Sequence, residues 1–298
     1  MLFDESTLRK LNQLTLVASR IRSGAIKGER RSSKRGSSVE FADYRDYTPG
    51  DDLRRLDWNI YARLERPFIK LLEEEEDLAV HILLDGSKSM DWPAPPGLET
   101  ENGLHKFRYA LRMAAGLGAV ALASGDSLSV GFLQNERVAA EFGPTRGGAA
   151  LPRLFRFLES LEPGGETNLD AALKAYSTIP RRAGLLVLIS DLFDAGQDNI
   201  LLHLRRKHEA ALLHILSPDE LDPPLAGDLQ LLDTETGYAQ DVSLDSGLRA
   251  LYRERAQAWL QSIQASCRKH AIRYLDITTS RPWEQVILLE MRKAGVVK

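Results

Sequence analysis

The chain has 298 residues, 43% hydrophobic and 27% charged, enough for one substantial core or one core with a smaller module attached. Its 39 Lys and Arg against 42 Asp and Glu leave a formal charge of -3, which argues against a dedicated nucleic-acid binder. Cys267 is the only cysteine, so an intrachain disulfide is excluded and a Cys-based zinc site is disfavoured.

A lone cysteine fits a reducing compartment. The N-terminus carries charge from Asp4 onward and has no signal-peptide apolar region. No apolar run approaches the roughly 18 residues of a membrane span. A soluble, cytoplasmic protein is the expectation.

Leu8, Leu11, Leu14, Val17 and Ile21 recur at helical spacing and predict an N-terminal helix, with Ser6 or Thr7 as N-cap. "GAIKGERRSSKRGSS" follows and reads as an exposed loop. Around it Arg20, Arg22, Lys27, Arg30, Arg31, Lys34 and Arg35 face only Glu29. Residues 39–77 read as an irregular arm, too short for a core of its own, whose Tyr44, Tyr47, Trp58, Tyr61 and Phe68 supply apolar surface. Pro49-Gly50 suits the centre of a type II turn. The acidic run Glu73 to Asp77 suits a charged edge strand or a counterpart to the basic loop.

From about residue 78 the pattern becomes regular. Strands are predicted at "LAVHILL", "SLSVGFL", "GLLVLIS", "AALLHIL" and "AIRYLDI". Helices are predicted at "KFRYALRMAAGLGAVALAS", "AALPRLFRFLESL", "LDAALKAYSTI" and "NILLHLRRKH". A hairpin around Thr236-Gly237, a long helix from Ser246 and a closing helix started by Pro282 complete the chain. Strands apolar on both faces, alternating with helices, predict an α/β fold with a doubly wound, mostly parallel sheet. The division expected is residues 1–76 as helix, basic loop and arm, then 77–298 as the α/β domain with a hairpin insertion at about 226–243.

In such folds ligands gather beyond the carboxyl ends of the strands. There "HILLDGSKSMDW" runs an apolar strand into Asp85, Ser87 and Ser89, and residues two apart in extended chain point the same way. One carboxylate with two hydroxyls is poor zinc chemistry and good chemistry for Mg²⁺, Mn²⁺ or Ca²⁺. "LLVLISDLFD" likewise ends an apolar strand in Ser190 and Asp191, and "GGETNLDAAL" places Thr167 just before a helix. Each has a plainer reading. Thr167-x-x-Asp170 is a capping signature, Asp191 could cap the next helix, and short polar runs after strands are common turn chemistry. Asp91 and Asp194 read as turn or solvent residues, and His81 as a hydrogen-bonded core histidine.

Asp-x-Ser-x-Ser, a later Thr in a Gly-rich loop and a strand-terminal Asp resemble the metal-ion-dependent adhesion site of von Willebrand factor A-like domains. The stretch from Val39 to Met90 is similar to the signature of the domain-of-unknown-function 58 family, which joins such an arm to such a domain. The resemblance implies a divalent ion, usually Mg²⁺, with Asp85, Ser87, Ser89 and Thr167 matching ligands and Asp191 a residue that often acts through water. It also implies an open metal position for a partner's Asp or Glu, and a partnership with MoxR-type AAA+ ATPases. The function expected is a cation-dependent protein-interaction module without catalysis. A metal-dependent phosphohydrolase using Asp85 and nucleic-acid binding through residues 20–35 are the alternatives. Against the first, Ser87 stands where an Asp-nucleophile phosphatase usually has a second acid, and no Walker A loop or Gly-x-Ser-x-Gly elbow is present.

Overall fold

The structure, a computed structural model, describes residues 5–18, 39–74, 77–93, 105–165, 167–193, 197–224, 227–232 and 239–298. The chain forms two compact units, Gly24–Asp77 and the remainder, Met1–Ser23 with Leu78–Lys298. The N-terminal residues therefore belong with the α/β unit, whereas the sequence grouped residues 1–76. The reason is burial: Leu11, Leu14, Leu16 and Ala18 lie in that unit's core.

The predicted N-terminal helix is also shorter than its periodicity suggested. Helix α1 covers Glu5–Leu11, and Thr7 sits inside it, donating its hydroxyl to Glu284 at 2.8 Å. Beyond it the chain extends: Leu16 bridges antiparallel to Val297, and Thr15 and Lys298 exchange backbone hydrogen bonds of 3.1 and 2.8 Å. A one-sided apolar pattern over a few residues suits either conformation, and pairing with the C-terminus decides it.

The arm is more regular than expected. Strands β1 (Val39–Asp46) and β2 (Phe68–Glu74) pair antiparallel, and helix α2 (Trp58–Leu64) lies between them in sequence. Asp57 caps α2 by accepting from the amides of Asn59 and Ile60, and Tyr44 donates its hydroxyl to the same carboxylate at 2.9 Å. The turn at Pro49-Gly50 is as read: Gly50 has φ 107° and Asp51 N donates to Thr48 O at 3.1 Å.

In the α/β unit six strands form one sheet in the order β10-β7-β6-β3-β4-β5. They are β3 (Ala79–Asp85), β4 (Ser127–Gln134), β5 (Arg137–Thr145), β6 (Leu185–Ser190), β7 (Glu209–Leu216) and β10 (Arg273–Thr278). All pair in parallel except β5, which returns antiparallel along β4. The sequence reading did not predict β5, an edge strand of mostly exposed residues in which only Val138, Ala140, Phe142 and Thr145 are half-buried or buried. Val80, Ile82 and Leu84 pack on one face with α3 (Lys106–Ala123), α4 (Leu151–Glu159) and the closing helical segment from Trp283. Leu83, Leu186 and Leu188 face α5 (Leu169–Thr178), α6 (Gln197–Arg205) and the long helix Ser246–Lys269. The predicted hairpin forms as β8 (Gly227–Leu232) against β9 (Ala239–Leu244), and its tip at Thr236-Gly237 lies outside the described residues.

The starts of β3 and β6 approach so closely that a Cβ on Gly184 would fall 1.8 Å from the carbonyl oxygen of Ala79. Gly184→Ala should therefore lower the urea unfolding free energy by about 1–3 kcal/mol. An unchanged midpoint would show that these strand starts are not in contact.

Candidate functional site

From β3 the chain crosses to β4 on one side, while β6 leads to β7 on the other, so the strand order reverses between β3 and β6. That reversal opens a crevice at the carboxyl ends of the two strands. Asp85 ends β3 there and is 1% exposed. Ser190, at the end of β6, donates its hydroxyl to one carboxylate oxygen at 2.6 Å, and the amide of Ser87 donates to the other at 2.9 Å. Leu192 N donates in turn to the Ser190 hydroxyl at 2.9 Å, fixing it. Burial and then the charge of Asp191 outweigh these donors and push the Asp85 pKa up to about 7.

Ser87 and Ser89 share a hydroxyl–hydroxyl hydrogen bond of 2.9 Å across a single turn, Lys88–Met90, anchored by the buried Met90. Gly86 permits the turn because a Cβ there would lie 2.3 Å from the Phe132 ring. The Gly-rich loop is laced to this turn, with Gly164 N donating to Gly86 O at 2.9 Å and Lys88 N to Gly165 O at 3.0 Å. Thr167 follows, bridged to Asn135 at the end of β4. The helix cap considered for Thr167 is taken by its neighbour: Asn168 accepts from Ala171 N at 2.9 Å. The Thr167 hydroxyl is buried and has no hydrogen-bond partner among the described residues.

Asp191 is held differently. One of its oxygens accepts from Lys106 Nζ at 2.6 Å, the other from Phe193 N at 3.3 Å. Lys106 opens α3, is fully buried, and also donates to Glu220 at 2.5 Å. Burial alone would lower its pKa, but Asp191 and Glu220 outweigh burial and raise it. Its ammonium lies 4.9 Å from the centre of the Phe193 ring, which stacks on Trp259. His214 donates from Nε2 to Asp191 O at 2.8 Å and accepts the Tyr274 hydroxyl proton at Nδ1, and burial, against the bond to Asp191 O, presses its pKa down to about 4.

The other candidates resolve as follows. Asp91 is taken up by Lys88 Nζ at 2.5 Å and His105 Nε2 at 3.2 Å. His81 donates to Arg182 O and accepts from the Tyr176 hydroxyl, both at 2.9 Å, as a core histidine. Asp194, the basic run from Arg20 to Arg35, and Glu75 and Glu76 lie outside the described residues.

Among the described residues no three His, Cys, Asp or Glu side chains gather as a metal site, so a cation here would depend on hydroxyls. Asp85, Ser87, Ser89 and Thr167 offer oxygen only, and the Thr167 hydroxyl has no other partner among the described residues. That donor set fits Mg²⁺ or Mn²⁺ rather than a softer metal. Asp191, with both oxygens engaged, can contribute only through water or after Lys106 lets go. Sequence reasoning passed over Ser190 as the group that orients Asp85, and over Lys106 and Glu220 altogether. One signal for Lys106 existed: a cation at the first position of a helix opposes the helix dipole and needs a local anion.

The pattern of the family described as "Protein of unknown function DUF58" matches residues 43–261. An uncharacterized protein of Mycobacterium bovis is 26% identical over 287 residues, covering 94% of this chain and 87% of its own length. Among solved structures, the conserved hypothetical protein BatB from Bacteroides thetaiotaomicron covers 73% of this chain and 98% of its own, at 16% identity and a TM-score of 0.38. A von Willebrand factor type A structure from Catenulispora acidiphila covers 49% of this chain and 35% of its own, at 16% identity and a TM-score of 0.35. At those scores neither likeness adds to the sheet order described above.

Thr167→Val keeps the side-chain shape and removes an unpaired buried hydroxyl, so in EDTA it should stabilise the protein by about 1 kcal/mol in urea titrations. A loss of stability would mean that the hydroxyl has a protein partner. Lys106→Met leaves two carboxylates without their cation and should cost about 3–5 kcal/mol, partly recovered in Lys106→Met/Glu220→Gln. A cost below about 1 kcal/mol would exclude a buried bridge at this position.

Proposed function

The chain belongs to the DUF58 family, and on that premise we propose that it is a protein-interaction module that binds its partner through a divalent cation. Asp85, Ser87, Ser89 and Thr167 would hold the cation, with Asp191 behind them acting through water. The observation that carries this reading is the Thr167 hydroxyl, buried without a partner among the described residues, in the loop whose glycines bond the turn bearing Asp85 and its two serines. A buried polar group with no hydrogen bond destabilises the fold unless something else binds it. The raised pKa of Asp85 points the same way, since a carboxylate held out of water by burial gains from a cation.

When bound, the cation would supply a positive charge for a ligand carboxylate. Three of its four protein ligands are neutral hydroxyls, so much of that charge would remain for an Asp or Glu of the partner. The family resemblance suggests a MoxR-type AAA+ ATPase as that partner, within the assembly or maturation of a larger complex. We read the module as non-catalytic, because Ser87 stands where an Asp-nucleophile mechanism usually places its proton-transfer acid.

Calorimetric titration with Mg²⁺ and Mn²⁺ tests the reading directly. Wild type should bind, Asp85→Ala should show no saturable heat, and Thr167→Val should bind at least about tenfold more weakly. Equal binding by wild type and Asp85→Ala would sink the metal assignment. Capture of a MoxR-type ATPase should then occur in Mg²⁺ and fail in EDTA, and capture that ignores EDTA would remove the cation from the interaction.

A further inference from the structure

The long helix Ser246–Lys269 buries no residue before Ile263, yet its exposed half is not polar all round. Leu248, Tyr252, Arg255 and Trp259 follow at spacings of four, three and four residues, which puts them on one face with Leu251 beside them. Leu248, Leu251 and Tyr252 are 37%, 42% and 41% exposed. At the foot of this stripe Trp259 stacks on Phe193, whose side chain is itself 49% exposed. The apolar stripe of a helix is normally buried against the fold, and contiguous exposed apolar surface marks an interaction site.

The stripe is continuous with the candidate cation site. Phe193 donates its amide to the Asp191 carboxylate at 3.3 Å, and Trp259 meets edge-on the His214 ring that holds Asp191 O. Higher up the helix, Tyr252 donates its hydroxyl to Glu220 O at 2.6 Å, and Glu220 shares Lys106 with Asp191. The charges along the stripe select its occupant. Arg255 is the one charged side chain within it and is exposed, while Glu254 falls on the opposite face of the helix. Neighbouring carboxylates are used inside the chain: Glu220 by Lys106, Asp222 by Arg249 and Arg253 at 2.8 and 3.3 Å, and Asp245 as the helix cap. Apolar side chains with a cation among them are complementary to an apolar segment that carries acid.

We propose that this stripe docks an acidic, apolar segment of a partner protein whose carboxylate reaches the cation at Asp85. Large apolar side chains of the segment would cover Leu248, Tyr252 and Phe193, and a second acid would meet Arg255. The proposal rests on the cation reading above and adds the partner's chemistry: an Asp or Glu must come with apolar neighbours. Aromatic anchors suit such a surface, because Trp and Tyr bring large contact area with little side-chain entropy to lose. From Leu248 to Trp259 the helix rises about 16 Å, which about five residues of extended chain span, so the recognised segment is short.

The test selects a displayed library of random peptides, about twelve residues long, on the full chain in Mg²⁺. Selected peptides should carry an Asp or Glu with large apolar residues within about five positions of it. Leu248→Ser/Leu251→Ser changes two exposed positions and should keep the wild-type melting temperature and calorimetric Mg²⁺ binding. It should weaken the synthesised peptides at least about tenfold, and Arg255→Glu should weaken them at least about threefold. The proposal is overturned if no peptide is selected, if the selected ones lack apolar residues, or if either variant keeps full affinity. A wild-type dimer that the leucine variant dissociates in sedimentation would also overturn it, by showing that a second copy covers the stripe. Binding that needs the leucines but persists in EDTA would sink the cation reading and the joined site with it, and titration with Mg²⁺ alone reports that failure separately.

Discussion

A carboxylate buried at the end of a central strand loses the hydration of its charge, a cost of several kcal/mol unless donors or a cation replace the water. Asp85 is in that position, and the loops around it can be understood as the response. Ser190, arriving on the neighbouring strand, donates to one oxygen, and the turn after Gly86 folds back so that Ser87 N donates to the other. Two donors leave the pKa still raised, so the protein part of the site is incomplete by its own electrostatics. The hydroxyls that cluster beside it are the groups that a hard cation would use.

One strand over, the same difficulty is met in another way. Asp191 is equally buried, yet it is neutralised inside the protein by Lys106, which bridges to Glu220 on a one-turn helix after β7. The division of labour matters for the proposed reading. With Asp191 tied to Lys106, Asp85 is the one carboxylate of the candidate set left without a cation. A metal bound there would stay strongly electropositive toward an incoming ligand.

Much of the architecture was legible because parallel strands buried on both faces leave unbroken apolar runs. "LAVHILL", "GLLVLIS" and "AALLHIL" became β3, β6 and β7, and the helices between them fell close to where their periodicity put them. The misreadings have physical causes. The N-terminal leucine spacing ran on past Leu11, but Leu16 gains more by pairing with Val297 than a marginal helix would gain by another turn. Edge strand β5 and the paired strands of the arm lack the unbroken apolar runs of the central strands, and pairing with a neighbouring strand is what defines them.

The sequence by itself determined which residues leave the strands at the carboxyl edge of the sheet, because a strand of apolar residues must end where polar ones begin. Asp85, Ser87, Ser89 and Asp191 were readable on that ground, and Thr167 from its place in a Gly-rich loop just before a helix. What each does was decided by the tertiary structure. Thr167 and Asn168 are adjacent and equally able to cap a helix, and backbone geometry gave the cap to Asn168 and left the Thr167 hydroxyl without a partner among the described residues. Lys106 lies 85 residues from Asp191 and 114 from Glu220. No local pattern links them, and only the folding of α3 against the ends of β6 and β7 brings the three charges into one buried bridge.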